Sequence, residues 1–165
     1  MSAVPAEYQG LRSFAFGDGP ELADELLALV MKGVKTATCS TEDEPNTSTP
    51  GERWIVLDGH GTPACVIETT EVTYRRYNEI DAAFAYEEGE GDRSLAHWRS
   101  AHLEFFASQG VDVSDDDDVV LERFELLWRA GPPISEAQRR QVIRFALEGI
   151  RPGVRFRLAD PSSVA

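Results

Sequence analysis

The segment from residue 53 to residue 76 is the feature that most limits the folds open to this chain. It contains the short β run "RWIVLD", the turn signal "GHGTP" and the run "ACVIETTEVTYRR", which is rich in β-branched residues. This order is typical of a β-hairpin. Because a hairpin pairs its strands antiparallel, the segment argues against a sheet built only from regular βαβ units.

Three helical patterns surround the hairpin. The first begins at Pro20, repeats Leu and Val at helical spacing and ends at Gly33. "EIDAAFAYEEGEGD" predicts a short helix that runs into an acidic glycine turn, and "SLAHWRSAHLEFFASQG" predicts a longer helix capped by Asp92 or Ser94. The acidic loop "SDDDD" precedes one more predicted strand, "VVLERFELLWRA". We therefore predict an α+β fold, a small mixed sheet or β-barrel decorated by helices.

The length of 165 residues fits one compact domain with an appendage. "GPP" at 131–133 marks a boundary, so we predict a main domain over residues 1–131 and a basic extension over residues 132–165, packed on the same domain. The extension has a capping-box pattern, "SEAQ", that opens a helix to about Leu147, followed by a strand pattern at 154–158.

The charge bears on the partners that this chain can have. The net charge is −13, but residues 132–158 carry six arginines against two glutamates. A surface that repels phosphate lacks the counterion-release contribution to binding long nucleic acids, so we expect no DNA partner. The arginine-rich segment still leaves a local positive face open.

Several other classes of protein and site lack support. The N-terminus has no signal-peptide pattern, and no stretch approaches the ~20 apolar residues of a membrane span, so we expect a soluble, cytoplasmic protein without a membrane partner. The two cysteines make no disulfide framework or zinc motif. Without G-x-G-x-x-G or a P-loop, we expect no nucleotide cofactor.

The stretch "GVKTATCS" follows the first helix and places Lys35 among small and hydroxyl residues. In an extended strand Lys35 and Thr38 point to opposite faces, so the chain must bend between them if they act together, and the helix end at Gly33 is where it can bend. We expect Thr36, Thr38 and Ser40 to share a face. The alternative is that Lys35 is a surface residue and Thr38 only a strand former.

The stretch "EEGEGD" crowds four carboxylates around two glycines. Crowded carboxylates repel one another and should raise at least one pKa, and a carboxylate poised near neutrality is a usable general base. The alternative is a helix end followed by a solvated turn in which Asp92 caps the next helix.

The longer helix carries His102 on its aromatic stripe, with Arg99 one turn before it. A lone histidine on an apolar face is more often a hydrogen-bonded core residue than a catalyst. His97 and His102 are five positions apart and diverge on a helix, so H-E-x-x-H spacing is missing and we expect no metal site.

Four segments in this order, "GVKTATCS", "GERWIVLDGHGTPACVIETTEV", "AFAYEEGEGDRSLAHWRSAHLEFF" and "VVLERFELL", closely resemble the ASCH domain family. The resemblance covers roughly residues 11–128, and its most specific parts are G-x-K-x-x-T and the EGEGD block with the following Trp and His. It implies a PUA-like β-barrel with helices beside it, a fold often associated with RNA.

Some bacterial relatives in this family are small amidohydrolases that act on N4-acetylcytidine, and another relative is described as a ribonuclease. The hydrolase branch uses a lysine, a threonine and a glutamate, which the motifs match to Lys35, Thr38 and Glu88. Its members carry an arginine two residues after the threonine, where this chain has Ser40. We expect further side chains of the same motifs to bind the substrate: Thr36, Glu90, Trp98, Arg99 and His102.

The leading hypothesis is therefore an amidohydrolase acting on a small nucleoside-like substrate. Because neighbouring carboxylates favour the ammonium form of a lysine, we expect Thr38 to attack the carbonyl, Glu88 to accept its proton and later protonate the leaving amine, and Lys35 to stabilise the oxyanion. A neutral Lys35 acting as the base is the rival.

Two other functions stay open. An RNA-binding module or single-stranded ribonuclease would hold phosphates with Lys35 and the C-terminal arginines while Trp98 or Tyr86 stacks a base. A regulator would bind a nucleotide-like ligand without turning it over.

Overall fold

The computed structural model describes residues 3–42 and 47–131. The predicted extension over residues 132–165, with its helix and strand, lies outside the described residues. Within residues 3–42 and 47–131 the structure has three α-helices and five strands: α1 Pro20–Met31, α2 Ala82–Glu88 and α3 Leu95–Ser108, with β1 Ser13–Phe14, β2 Ala37–Thr41, β3 Arg53–Leu57, β4 Pro63–Arg76 and β5 Asp118–Arg129. Short 3-10 helices occupy Ala6–Tyr8 and Tyr77–Glu79.

The five strands form one mixed sheet in the order β1-β3-β4-β5-β2. All neighbouring pairs are antiparallel except β1 and β3, which are parallel. The predicted hairpin is confirmed as β3 and β4, and the Asp58 carboxylate stabilises its turn by accepting from the backbone N–H groups of His60 and Thr62. The predicted α+β class is confirmed as well.

Two apolar cores lie on opposite faces of the sheet. Because side chains alternate along a strand, Leu121 and Phe124 of β5 point to different faces. Leu121 belongs to a core that α2 and α3 cover, which includes Phe84 and Phe106. Phe124 belongs to a core that the buried face of α1 covers. Each helix thus packs where its apolar stripe faces an apolar strand face.

The end of α1 produces the bend that the sequence predicts. Lys32 caps the helix, and Gly33 follows with a positive φ of 74°, which glycine adopts at no steric cost. The backbone N–H groups of Val34 and Lys35 then both donate to the carbonyl of Leu29, at 2.9 and 3.2 Å. This reversal fixes the position of Lys35 before β2 begins at Ala37.

The end of α2 lies against the same bend. Gly89 ends α2 with a φ of 72°, and a Cβ there would stand 2.6 Å from the carbonyl oxygen of Val34. The backbone N–H of Thr36 donates to the carbonyl of Glu87 at 2.9 Å. These contacts bring the "GVKTATCS" and "EEGEGD" segments together.

Candidate functional site

A cavity of about 790 Å³ opens beside these two segments. Five of the eight site residues predicted from the sequence line it: Lys35, Thr38, Glu88, Glu90 and His102. They come from the α1–β2 connection, from β2, from the last residue of α2, from the α2–α3 connection and from α3. The fold therefore gathers side chains from distant parts of the chain around one space.

Lys35 is buried, with only 1% of its surface exposed. Its Nζ donates to Glu90 Oε1 at 2.7 Å and lies 3.8 Å from Glu88 Oε1. The Phe16 ring stands 5.5 Å from the same ammonium. A buried charge needs an opposite charge close by, and here two carboxylates stabilise the ammonium form.

Glu88 is the most enclosed carboxylate of the site, with 1% of its surface exposed. Its Oε2 accepts from Trp98 Nε1 and lies 3.0 Å from His102 Nε2. Its Oε1 faces Lys35 and has no hydrogen-bond partner among the described residues. Glu88 thus has one carboxylate oxygen fixed by its neighbours and one buried oxygen that accepts no hydrogen bond from the described residues.

The pKa of Glu88 corrects the expectation drawn from the crowded carboxylates. Burial by itself would raise that pKa, but the charges of Lys35 and His102 and the hydrogen bonds from His102 and Trp98 hold it below its usual value. Asp92 also has a lowered pKa, because Ser94 donates hydrogen bonds to it. The sequence prediction was wrong for these two groups because their neighbours act more strongly than carboxylate repulsion.

The neighbours of His102 favour the protonated, cationic form of its imidazole ring. Its Nδ1 lies 2.9 Å from the carbonyl oxygen of Trp98, which can only accept, so Nδ1 carries a proton. Its Nε2 faces the carboxylate of Glu88. Burial by itself would lower the pKa of His102, yet the hydrogen bond and charge of Glu88 raise it above the usual value. Lys35 and His102 thereby balance the charges of Glu88 and Glu90.

Trp98 contacts this cluster without lining the cavity, and its side chain is buried. The His102 ring stacks on it at 4.1 Å between centroids, and Tyr77 lies near its indole at 5.6 Å. With these rings against it, Trp98 holds Glu88 and His102 in place.

The opposite wall of the cavity is formed by strands. Thr38 and Ser40 of β2 and Glu122 of β5 line it. Thr38 and Glu122 are register partners in the antiparallel ladder, so their side chains stand next to each other on one face of the sheet. Sequence reasoning predicted Thr38 but missed Glu122.

Glu122 is partly buried and has surroundings unlike those of Glu88. Its Oε1 accepts from the backbone N–H of Ser48 at 3.2 Å. Burial raises the pKa of Glu122 above its usual value, Ser48 opposes that shift through its hydrogen bonds, and the nearby charge of Glu52 adds to it. The sequence held a signal for this residue, because Glu122 interrupts the apolar alternation of Val120, Phe124 and Leu126.

Besides Trp98, two predicted residues lie outside the cavity. Thr36 precedes β2 and does not line the cavity, and its hydroxyl donates to the carbonyl of Glu87 at 3.3 Å. The side chain of Arg99 is exposed and donates to the carbonyl of Asn78 at 3.4 Å.

Aromatic side chains form another part of the wall that sequence reasoning missed. Phe14, Phe16 and Trp54 line the cavity, with Phe14 4.8 Å from Phe16 and 5.7 Å from Trp54 between ring centroids. Flat apolar walls of this kind suit a planar ring. Among residues 3–42 and 47–131, no group of three His, Cys, Asp or Glu side chains is arranged to hold a metal ion.

The hydropathy of the helices bears on membrane insertion. Within the part of the chain that the structure describes, no helix has the length and apolar character needed to cross a bilayer.

Comparisons with known proteins place this geometry in a family. The ASCH domain of Lactobacillus crispatus is 32% identical, with a TM-score of 0.67 over 74% of this chain and 83% of that one. A structure from Enterococcus faecalis is 31% identical, with a TM-score of 0.63 over 72% of this chain and 77% of that one. No curated protein matches this chain.

The family model described as "ASCH domain" matches residues 12–128, which contain all the described site residues. The mixed sheet and its three helices are the PUA-like fold of the ASCH structures. From the fold, the matched residues and the two relatives, this chain belongs to the ASCH domain family.

Proposed function

We propose that this ASCH domain hydrolyses an amide bond in a small uncharged molecule of the N-acylated nucleoside class, with Thr38 as the nucleophile. The observation that carries the proposal is that Thr38, Lys35 and Glu88 line one cavity although they come from separate elements. A hydroxyl, a cation and a carboxylate are the groups that acyl transfer through a covalent intermediate requires.

The charge of the cavity favours a neutral ligand over RNA. Four carboxylates line it, and the ammonium of Lys35 is already bonded to Glu90. With 1% of its surface exposed, Lys35 is poorly placed to contact the phosphates of a strand in solvent. Phosphate groups would meet repulsion here, whereas an uncharged ring would contact the aromatic wall.

The roles follow from the neighbours of each group. The Thr38 hydroxyl adds to the amide carbonyl, and the open Oε1 of Glu88 accepts its proton. Lys35, held as an ammonium by Glu88 and Glu90, stabilises the charge that develops on the carbonyl oxygen. The same ion pairs oppose the rival role of Lys35 as a neutral base, since both carboxylates favour its charged form.

The substrate class draws on the resemblance to the hydrolase branch as well as on the cavity. Ser40 stands on the strand wall where that branch carries an arginine, and Glu122 stands beside Thr38. This wall therefore attracts N–H donors rather than anions. A nucleoside with an acylated exocyclic amine presents such donors on a planar ring.

The test is turnover of a panel of N-acylated nucleosides and single-stranded RNA, with wild type compared with Thr38→Val. Loss of the nucleophile should lower kcat by about 10³-fold or more, because the residual rate comes only from binding and oxyanion stabilisation. Thr70→Val is the matched control, since Thr70 is exposed on β4 and donates to the carbonyl of Arg123.

Three other outcomes would contradict the proposal. Amide turnover that survives Thr38→Val would remove Thr38 as the nucleophile. Cleavage of RNA with steep salt dependence would favour the ribonuclease alternative. Recovery of every acylated nucleoside intact after long incubation, with measurable binding, would favour the regulator that binds without turnover.

A further inference from the structure

The geometry points to Glu122 as a second catalytic carboxyl group of the proposed hydrolysis, the acid that protonates the leaving nitrogen. This inference rests on the proposed function and assigns to Glu122 a step that the motifs alone would give to Glu88. Nothing in the ASCH motifs quoted above marks Glu122 for this role.

The first support is position. Glu122 of β5 is paired in register with Thr38 of β2, and directly opposed side chains in an antiparallel pair have Cβ atoms about 4.5–5.5 Å apart. Both side chains line the cavity. A carbonyl carbon bonded to the Thr38 oxygen would therefore place its departing nitrogen within reach of a carboxyl at position 122.

The second support is the fixed orientation of the group. The backbone N–H of Ser48 holds Oε1 of Glu122, and Ser48 is itself buried with 5% of its surface exposed. Val120, Phe124 and Leu126 surround Glu122 on the same face of β5. Because the side chains beside it on this face are apolar and Ser48 fixes its Oε1, the carboxyl group of Glu122 faces the cavity rather than bulk solvent.

The third support is the contrast with Glu88. The strand neighbours of Glu122 in the ladder, Thr38 and Val72, are uncharged, and the charged group that acts on it from the β3 side is Glu52, another acid. Burial and Glu52 both favour the neutral carboxyl, and the hydrogen bonds from Ser48 oppose them without reversing the shift. Two carboxyl groups with opposite environments in one site are typical of an acid and a base.

The charged groups that line the rest of the cavity stand on other elements. Lys35, Glu88, Glu90 and His102 form the ion-paired cluster described above, and α1 contributes Glu25. Their charges are balanced within the cluster, with Glu25 as one more acid. They give Glu122 no cation partner that would hold it ionised.

The protons balance over a full cycle. In acylation the Thr38 O–H bond breaks, its proton goes to Glu88, the C–N bond breaks, and the nitrogen takes the proton of Glu122. In deacylation water adds to the Thr38 ester and gives a proton to Glu122. The Thr38 oxygen then leaves with the proton held by Glu88, and both carboxyls return to their starting states.

The experiment compares two leaving groups in wild type and Glu122→Gln. An amine leaving group needs a proton, whereas p-nitrophenolate does not, so the variant should lose about 10²- to 10⁴-fold in kcat on an N-acetylated nucleoside. In the pre-steady-state burst of p-nitrophenolate from p-nitrophenyl acetate, which reports acylation alone, it should lose less than about tenfold, because that leaving group departs as an anion and the deacylation step does not enter. The alkaline limb of the amide pH profile should also disappear in the variant. Glu125→Gln, at an exposed position of the same strand, is the matched control.

Each remaining outcome overturns the inference. Equal losses on the amide and on the ester would show a structural or binding role, and an unchanged amide rate would show no role. If wild type turned over neither substrate, the proposed function would fail as well, which separates that failure from loss of the acid role alone.

Discussion

Glu88 and Glu122 line the same cavity, yet the groups around them differ. Glu88 faces Lys35 and His102 and accepts from Trp98, so its pKa is lowered and it stays ionised. Glu122 is held by Ser48 beside an uncharged strand partner, and burial raises its pKa. In the resting site one carboxyl is favoured as an anion, and the other is favoured as an acid.

The difference separates charges that stabilise the fold from a carboxyl group that can take part in proton transfer. The cluster of Lys35, Glu88, Glu90 and His102 is buried and internally balanced, and removal of one member leaves the others without compensation. The strand wall of Thr38 and Glu122 carries no such network of cations. Substitutions in the two regions should therefore separate stability from chemistry.

The largest expected effect on stability is that of Glu88→Gln. Loss of this charge leaves the imidazolium of His102 and the ammonium of Lys35 short of a buried partner, so we expect the free energy of unfolding to fall by about 3–5 kcal/mol. Urea denaturation at neutral pH measures it. Glu122→Gln is the comparison, and it should change the same quantity by less than about 1 kcal/mol because the amide resembles a neutral carboxyl. Equal losses in both variants would break the contrast between the two regions.

Trp98→Phe should have the next largest effect. The change removes the indole N–H that donates to Glu88 and leaves a buried carboxylate with one donor fewer, at a cost of about 1–3 kcal/mol beyond the loss of ring area. Trp54→Phe is the matched control, since Trp54 is equally buried and its Nε1 has no hydrogen-bond partner among the described residues. If the two variants lose the same stability, the hydrogen bond to Glu88 contributes nothing.

The pH dependence of stability should differ in sign between the two carboxyls. The stabilisation from Glu88, whose pKa is lowered, is present above its ordinary value of 4.5 and is lost as the pH falls. The pKa of Glu122 is raised, so its ionisation destabilises the folded state. Wild type should therefore lose stability relative to Glu122→Gln as the pH rises above 4.5. Unfolding curves from pH 3 to pH 7 on wild type and both variants measure the slopes, for which ~1.4 kcal/mol corresponds to one pKa unit. Slopes of the same sign would contradict the assigned environments.

The smallest effects should come from Thr36→Val and Arg99→Ala. Both side chains lie outside the cavity and make single bonds to backbone carbonyls. We expect stability changes within about 0.5 kcal/mol and unchanged kcat/KM. A tenfold loss of kcat/KM in either variant would show that the substrate reaches beyond the cavity and would support their predicted binding roles.

Local patterns in the sequence were enough to predict the elements that position the site. The end of α1 at Gly33, the hairpin and the capping of α3 by Ser94 depend on neighbouring residues, and each agrees with the structure. The G-x-K-x-x-T motif identified Lys35 and the EGEGD motif identified Glu88 and Glu90, and the structure places the lysine against both carboxylates.

Long-range geometry accounts for what the sequence could not predict. The low pKa of Glu88 depends on Lys35, which lies on a segment far away in the chain, so repulsion within "EEGEGD" was the wrong guide. The place of Glu122 beside Thr38 depends on the register of β2 against β5. Thr36 does not line the cavity, and its hydroxyl donates to Glu87, which lies far away in the chain.

The most direct test of the central claim is intact-protein and peptide mass spectrometry after rapid quenching with an N-acylated nucleoside or an activated acetyl ester. If Thr38 is the nucleophile in this cavity, the acyl mass will appear on the peptide that contains Thr38 and will be absent from Thr38→Val. Steady turnover with no acyl mass on that peptide at any quench time, and with Thr38→Val still active, would contradict the account.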